Sequence, residues 1–252
     1  MGKNKLARFQ ENETFALLHQ PAFDDLFRGD FLLKGRWGSD FFGNDHPITL
    51  ELGCGRGEYT VELARMHPDR NFIGVDIKGA RLWRGAKTAT EEGMRNVAFV
   101  RSRVEVVASL FAPSEVSEIW LTFPDPQPSR ARKRLCSAIF LNRYAQFLAP
   151  QGVVHLKTDS RLLHEYAKAL LSANSVAPLH SANDLYGSAG SAGSAELAIK
   201  TTYEKIFISE GYPITYLKFP LPQGKTLVEP EDFSYTGDVP KARMREKGGS
   251  WE

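Results

Sequence analysis

The chain has 252 residues, 42% of them hydrophobic and 25% charged, with a net charge of +2 at neutral pH. This composition excludes a disordered or fibrous chain and predicts a soluble globular protein, long enough for one sizeable α/β domain with decorations. No apolar run approaches the roughly 18 residues of a membrane helix. Two cysteines and six scattered histidines offer neither a disulfide framework nor a metal-ligand spacing. The start, Met1-Gly2-Lys3-Asn4-Lys5, lacks the apolar core of a secretory signal. A cytoplasmic protein without membrane or metal partners is expected.

Residues 1–45 mix many charges with Phe9, Phe15, Phe23, Phe27, Trp37 and Phe42. Such a segment cannot build its own core and is expected to pack on the main domain as an N-terminal arm. That domain is predicted over 46–220. It opens with Ile48-Thr49-Leu50-Glu51-Leu52-Gly53-Cys54-Gly55-Arg56-Gly57, an apolar β-prone run holding an acid and ending in glycines at alternate positions. An amphipathic run, 58–66, follows at once. Strand, tight glycine turn and helix N-terminus, in that order, mark where an open α/β sheet binds a nucleotide-like ligand. Glycine is required there because the chain turns with positive φ and backbone approaches the ligand.

The residues discriminate between ligands. A dinucleotide fingerprint wants glycine where Glu58 stands, and the acid of Glu51 sits badly beside a pyrophosphate. The same acid suits a ligand carrying an ammonium and a sulfonium, such as S-adenosylmethionine. The next strand-like run, 71–75, leads into Asp76, an acid placed to accept from ribose hydroxyls. A nicotinamide site and a purely structural glycine turn are the weaker alternatives.

Further strand-like runs lie at 97–101, 117–123 and 152–157, with helical runs near 78–93, 136–148 and 160–172 between them. This alternation predicts βαβ units and a mostly parallel sheet of about seven strands flanked by helices, Rossmann-like in class. The run ending at Phe123 continues as Pro124-Asp125-Pro126-Gln127-Pro128, where prolines fix φ and remove amide donors. The stiff loop holds Asp125 at a strand's carboxyl edge, beside the expected cofactor. Arg130, Arg132, Lys133 and Arg134 follow directly, and Lys78, Arg81, Arg84 and Lys87 share the helical run after Asp76. An acid in a pocket with cations at its rim suits reading one base while gripping the surrounding phosphates. The small-residue repeat 187–195 is expected to be a flexible loop, β character resumes over 213–219, and 221–252 is expected to be an extended tail.

Taken together, these motifs resemble those of the bacterial tRNA (guanine-N7-)-methyltransferases of the TrmB type, which are class I S-adenosylmethionine-dependent enzymes. The resemblance rests on the acid-and-glycine turn from Glu51 to Gly57, on Asp76, and on the Phe-Pro-Asp-Pro stretch with its basic sequel from Phe123 to Arg134. It extends to Lys157-Thr158-Asp159 and to Thr201-Thr202-Tyr203-Glu204-Lys205-Ile206-Phe207. It covers about 47 to 219, in order. The resemblance implies that Glu51, Gly53, Gly55, Gly57 and Asp76 bind S-adenosylmethionine and that Asp125 lies at the methyl-transfer site. It further implies that Asp159, Thr201, Thr202, Tyr203 and Glu204 contact the substrate guanosine. Arg130, Arg132, Lys133 and Arg134 would then grip tRNA, and a flipped base would enter the pocket.

Three positions depart from the family pattern. Gln127 replaces a Trp, Ser129 replaces a Lys, and Arg103 stands where an acid usually meets the adenine end of the cofactor. Arg103 and Gln127 motivate one rival reading, a tRNA-binding protein with weakened or lost activity; a methyltransferase acting on another RNA is a second. The chain is expected to work as a monomer or homodimer.

Overall fold

A computed structural model describes residues 3–187 and 193–237. Most of the small-residue repeat, 188–192, and the end of the tail, 238–252, lie outside the described residues. In chain order the elements are α1 (Lys3–Asn12), β1 (Leu18–His19), α2 (Phe23–Arg28), β2 (Ile48–Leu52), α3 (Glu58–Met66), β3 (Asn71–Asp76), α4 (Gly79–Glu91) and β4 (Val97–Arg101). They continue with β5 (Val116–Thr122), α5 (Ala138–Tyr144), β6 (Leu148–Thr158), α6 (Arg161–Ala173), β7 (His180–Ala182), α7 (Ala195–Ala198), α8 (Thr202–Ser209) and β8 (Thr215–Pro220).

The strands form one eight-stranded sheet in the order β1-β4-β3-β2-β5-β6-β8-β7. Pairing is parallel from β1 through β6, and β8 runs antiparallel to both of its neighbours. The chain winds outward from β2 to β4, then returns to the other side of β2 at β5. That reversal is the topological switch point, and ligands of open α/β sheets bind beyond the carboxyl ends of the strands there.

Side-chain alternation feeds two separate cores. Leu50, Leu52, Ile73, Val75, Ile119 and Leu121 face the helices α5 and α6, which supply Leu141, Tyr144, Leu163 and Leu170. Phe72, Phe99, Trp120 and Tyr216 face the opposite way, against Val61 and Leu63 of α3 and Leu82 and Ala86 of α4. Burial on both faces is why these strands read as nearly continuous apolar runs.

The arm enters the sheet itself. β1 pairs in parallel with β4 at the edge. Trp37 is fully buried, its indole N–H donates to the Leu110 carbonyl at 2.9 Å, and its ring packs beside Phe31, Phe42 and Phe111. The eighth strand beyond the expected seven comes from pieces too short to carry a period, since β1 has two residues and β7 three. Among the described residues no helix is long and apolar enough to cross a membrane, and no cluster of metal-ligating side chains occurs.

Candidate active site

At the carboxyl end of β2, Gly53, Gly55 and Gly57 have φ of 74°, 58° and 68°, a region that L side chains rarely enter. Two of them have distinct reasons to lack a side chain. A Cβ on Gly57 would stand 2.5 Å from the Phe99 ring, so this glycine lets α3 close onto the sheet. A Cβ on Gly55 would meet nothing within 4 Å, which leaves open space over the turn where a ligand would lie. The turn is tied to β3, because the Gly55 N–H donates to one Asp76 oxygen at 3.0 Å and the Lys78 N–H to the other at 2.7 Å.

Beneath the turn, Glu51 is 3% exposed and its carboxylate accepts from the hydroxyls of Thr60 on α3 and Thr122 on β5. It has no ion-pair partner among the described residues. Burial pushes its carboxyl up to about 7, the two hydroxyl donors oppose that, and neighbouring Asp76 adds to it. Burial raises Asp76 as well, against the bonds from Lys78 and Gly55. A cation brought beside these two carboxylates, under the open space at Gly55, would favour their ionised forms. The ammonium and sulfonium of S-adenosylmethionine fit that donor set, and a pyrophosphate does not.

Beside Asp76 lies a cavity of about 300 Å³ lined by Ile77, Arg101, Ser102 and Arg103 from the sheet and by Gln20 and Phe23 from the arm. Arg103 does not point an acceptor at it; its guanidinium lies 5.0 Å from the Phe23 ring centre. The arm therefore completes a wall that the domain residues leave open.

Across the switch point, Phe123 donates its N–H to the Lys157 carbonyl at 2.8 Å and begins the proline loop. Phe123 and Gln127 adopt φ of 50° and 42°, uncommon for residues other than glycine. Asp125 is exposed. One of its oxygens accepts from the Gln127 N–H at 3.0 Å and the other from the Gln127 side-chain amide at 2.9 Å. Where the family pattern has Trp, this chain thus has a residue that clamps the carboxylate in one orientation.

The 201–204 motif opens α8 as a capping box. The Glu204 N–H donates to the Thr201 hydroxyl at 3.2 Å, and the Glu204 carboxylate takes the Thr201 N–H. Glu204 is fully buried and also accepts from Lys157 Nζ at 2.9 Å and from the Tyr186 hydroxyl at 2.6 Å. The carboxylate expected to meet the substrate guanosine is thus also held by Lys157, Tyr186 and the start of α8. Lys157 in turn donates to the carbonyls of Leu197 and Ile199, a role that a lysine inside an apolar strand does not advertise in sequence.

Thr202 is exposed, yet its N–H and hydroxyl both bond the Glu58 carboxylate, at 2.7 and 2.8 Å, which docks α8 on the start of α3. Tyr203 is 38% exposed, with the Arg81 guanidinium 5.9 Å from its ring centre. Asp159 directly follows β6 and is buried. Phe207 of α8 stacks on Phe123, with ring centres 6.3 Å apart, so the capping motif and the Asp125 loop are neighbours.

The basic run divides. Arg130, Arg132 and Lys133 are exposed on the loop and its short 3₁₀ turn. Arg134, expected with them to grip tRNA, is 3% exposed and turned inward.

Comparison with known proteins agrees with this geometry. A family model described as "Putative methyltransferase" matches residues 45–217. The tRNA (guanine-N(7)-)-methyltransferase of Christiangramia forsetii is 52% identical over 219 residues, covering 86% of this chain and 97% of that protein. The protein of the same name from Bacteroides thetaiotaomicron is 49% identical over 231 residues, 92% of this chain and 91% of the relative. Among solved structures, the 16S rRNA (adenine(1408)-N(1))-methyltransferase from Catenulisporales acidiphilia superposes with a TM-score of 0.54 at 15% identity, over 78% of this chain and 98% of that one. The 16S rRNA methyltransferase KamB gives 0.53 at 15% identity, over 73% and 92%, and both likenesses speak for the fold alone. With a family model spanning most of its length and relatives about half identical across nearly all of theirs, the chain belongs to the tRNA (guanine-N(7)-)-methyltransferase family of Rossmann-like methyltransferases.

Proposed function

We propose that the protein methylates N7 of the variable-loop guanine of tRNA, using S-adenosylmethionine. The observation that carries this reading is the crevice itself. Glu51, buried with no ion-pair partner among the described residues, and Asp76 line one side, and Asp125 is clamped on the other beside exposed cations. The cofactor supplies an electrophilic methyl group. Glu51 holds its ammonium, Asp76 its ribose, and Gly53, Gly55 and Gly57 allow close approach of the backbone.

Guanine N7 already carries an in-plane lone pair, so no residue needs to remove a proton before attack. Asp125 therefore orients the base and offsets the positive charge that develops on the purine. Asp159, Thr201 and Thr202 lie on the guanosine side, with Tyr203 offering an exposed ring for stacking where Gln127 offers none. Arg130, Arg132 and Lys133 contact phosphates around the flipped base. A cytoplasmic location fits a tRNA substrate, and its assembly is read as monomer or homodimer.

Methyl transfer from labelled S-adenosylmethionine to unmodified tRNA tests the reading, beside a tRNA whose variable-loop guanine is adenine. Label confined to the guanine-bearing tRNA supports it. Binding of tRNA without label on either would favour the tRNA-binding alternative, and equal labelling of both would move the acceptor elsewhere.

A further inference from the structure

Arg134 is a buried cation with no carboxylate partner among the described residues. Its Nε donates to the Pro126 carbonyl at 3.1 Å and its Nη2 to the Pro128 carbonyl at 3.3 Å. These two carbonyls flank Gln127, the residue that clamps Asp125. The guanidinium lies 4.3 Å from the ring centre of Tyr166 on α6 and 5.9 Å from that of Phe233 in the C-terminal segment. Aromatic faces supply part of the stabilisation that water would otherwise give the charge.

The C-terminal segment is itself fastened. Asn142 on α5 and Asn174, just after α6, each exchange two hydrogen bonds with its backbone, at Leu227 and Val228, in the manner of strand pairing. Glu229 accepts from the Tyr166 hydroxyl and, at 3.1 Å, from the Ala138 N–H at the start of α5. The Phe233 ring meets the edge of Tyr166 at 5.4 Å. A continuous path of contacts therefore runs from residues 227–233 through Tyr166 and Arg134 to Pro126 and Pro128, and on through Gln127 to the Asp125 carboxylate.

We propose that this C-terminal segment is a brace for methyl transfer, in which Phe233 and Arg134 act as positioning residues that hold the Asp125 loop. The proposal rests on the reading of Asp125 given above. It assigns the last cation of the basic run to the loop rather than to RNA. The positive φ of Gln127 makes such a hold necessary, since a non-glycine residue in that region relaxes unless its surroundings fix it.

Phe233 is only half-buried, so Phe233→Ala is expected to fold, whereas Arg134→Lys keeps the charge but loses the planar fork whose Nε and Nη2 meet the two carbonyls. Amide hydrogen exchange in the free full-length protein reads the loop without reference to activity. Both variants are expected to exchange about tenfold faster at the Gln127 and Arg130 amides. Single-turnover methyl transfer at saturating tRNA and cofactor should fall about tenfold or more, with tRNA Kd within about twofold of wild type. Phe233→Tyr, which keeps the aromatic face, should restore both.

Unchanged loop exchange in Phe233→Ala would overturn the brace. Faster exchange with an unchanged rate would overturn the positioning role. Weaker tRNA binding by Arg134→Lys, with the rate at saturation intact, would return Arg134 to the RNA surface and overturn the proposal too. If the wild-type protein transfers no methyl group to tRNA, the proposed function fails, and the exchange comparison still decides the brace.

Discussion

The two sides of the crevice are held in different ways. On the cofactor side the supports come from adjoining strand ends and α3, since Glu51 takes the hydroxyls of Thr60 and Thr122 and Gly55 bonds Asp76. On the acceptor side they reach outside the sheet, with Tyr166 and Ala138 bonding Glu229 of the C-terminal segment across 63 and 91 positions. The cofactor side is a turn and three neighbouring strand ends, those of β2, β3 and β5, closed by α3. The acceptor side is a strained loop whose geometry depends on α6, α8 and the C-terminal segment together. Substitutions remote from the crevice should therefore disturb methyl transfer more readily than cofactor binding.

The sharpest way to break this comparison is at Asp125. Asp125→Ala should lower the single-turnover rate by about 10²-fold or more while the affinities for cofactor and tRNA stay near wild type. Parallel loss of rate and tRNA affinity would make Asp125 a binding residue. Reversing Arg130, Arg132 and Lys133 to Glu should weaken tRNA binding by about a hundredfold near physiological salt and reduce the salt slope by about three. Binding of S-adenosylhomocysteine should be untouched, and an unchanged slope would place the RNA surface elsewhere.

The cofactor side can be tested through pH. Glu51 in the free protein titrates at about 7, and its ionised form is the one that holds an ammonium. Cofactor affinity should therefore fall as pH drops below 7, by up to about tenfold per pH unit, and Glu51→Gln should flatten that dependence. Because the folded-state value is raised, ionising Glu51 works against the free fold. Its contribution to stability is present at low pH and is lost as pH rises through 7, so Glu51→Gln should melt higher than wild type at pH 8. A persisting slope between pH 5.5 and 7.5 in that variant would assign the titration to another group. The smallest effect is expected at Gln127→Ala, which should slow transfer several-fold, up to about tenfold, by freeing the Asp125 carboxylate. A wild-type rate there would mean that the clamp is incidental.

The same contrast explains what was legible in the sequence. The central strands were readable because long apolar runs between helical periods have few alternatives. The glycine turn was readable because positive φ at alternate positions demands glycine. β1 and β7 carried no period, and Trp37 lay in a segment whose aromatics gave no direction. A run of cations does not reveal which side chain turns inward, so in sequence Arg134 is indistinguishable from Arg130, Arg132 and Lys133. That orientation depends on Tyr166 and Phe233, far along the chain. The buried partnership of Glu204 was hidden for a similar reason, since Lys157 looks in sequence like part of an ordinary strand end.

The central claim is methyl transfer to guanine N7 beside a clamped Asp125. Its most direct test is single-turnover transfer to a tRNA carrying 7-deazaguanine at the variable-loop position, against the same tRNA with guanine. The two should bind equally well, and only the guanine-bearing tRNA should be labelled, because 7-deazaguanine has a C–H in place of the N7 lone pair. Label on the deaza substrate at a comparable rate would contradict the assignment and place the reacting atom elsewhere.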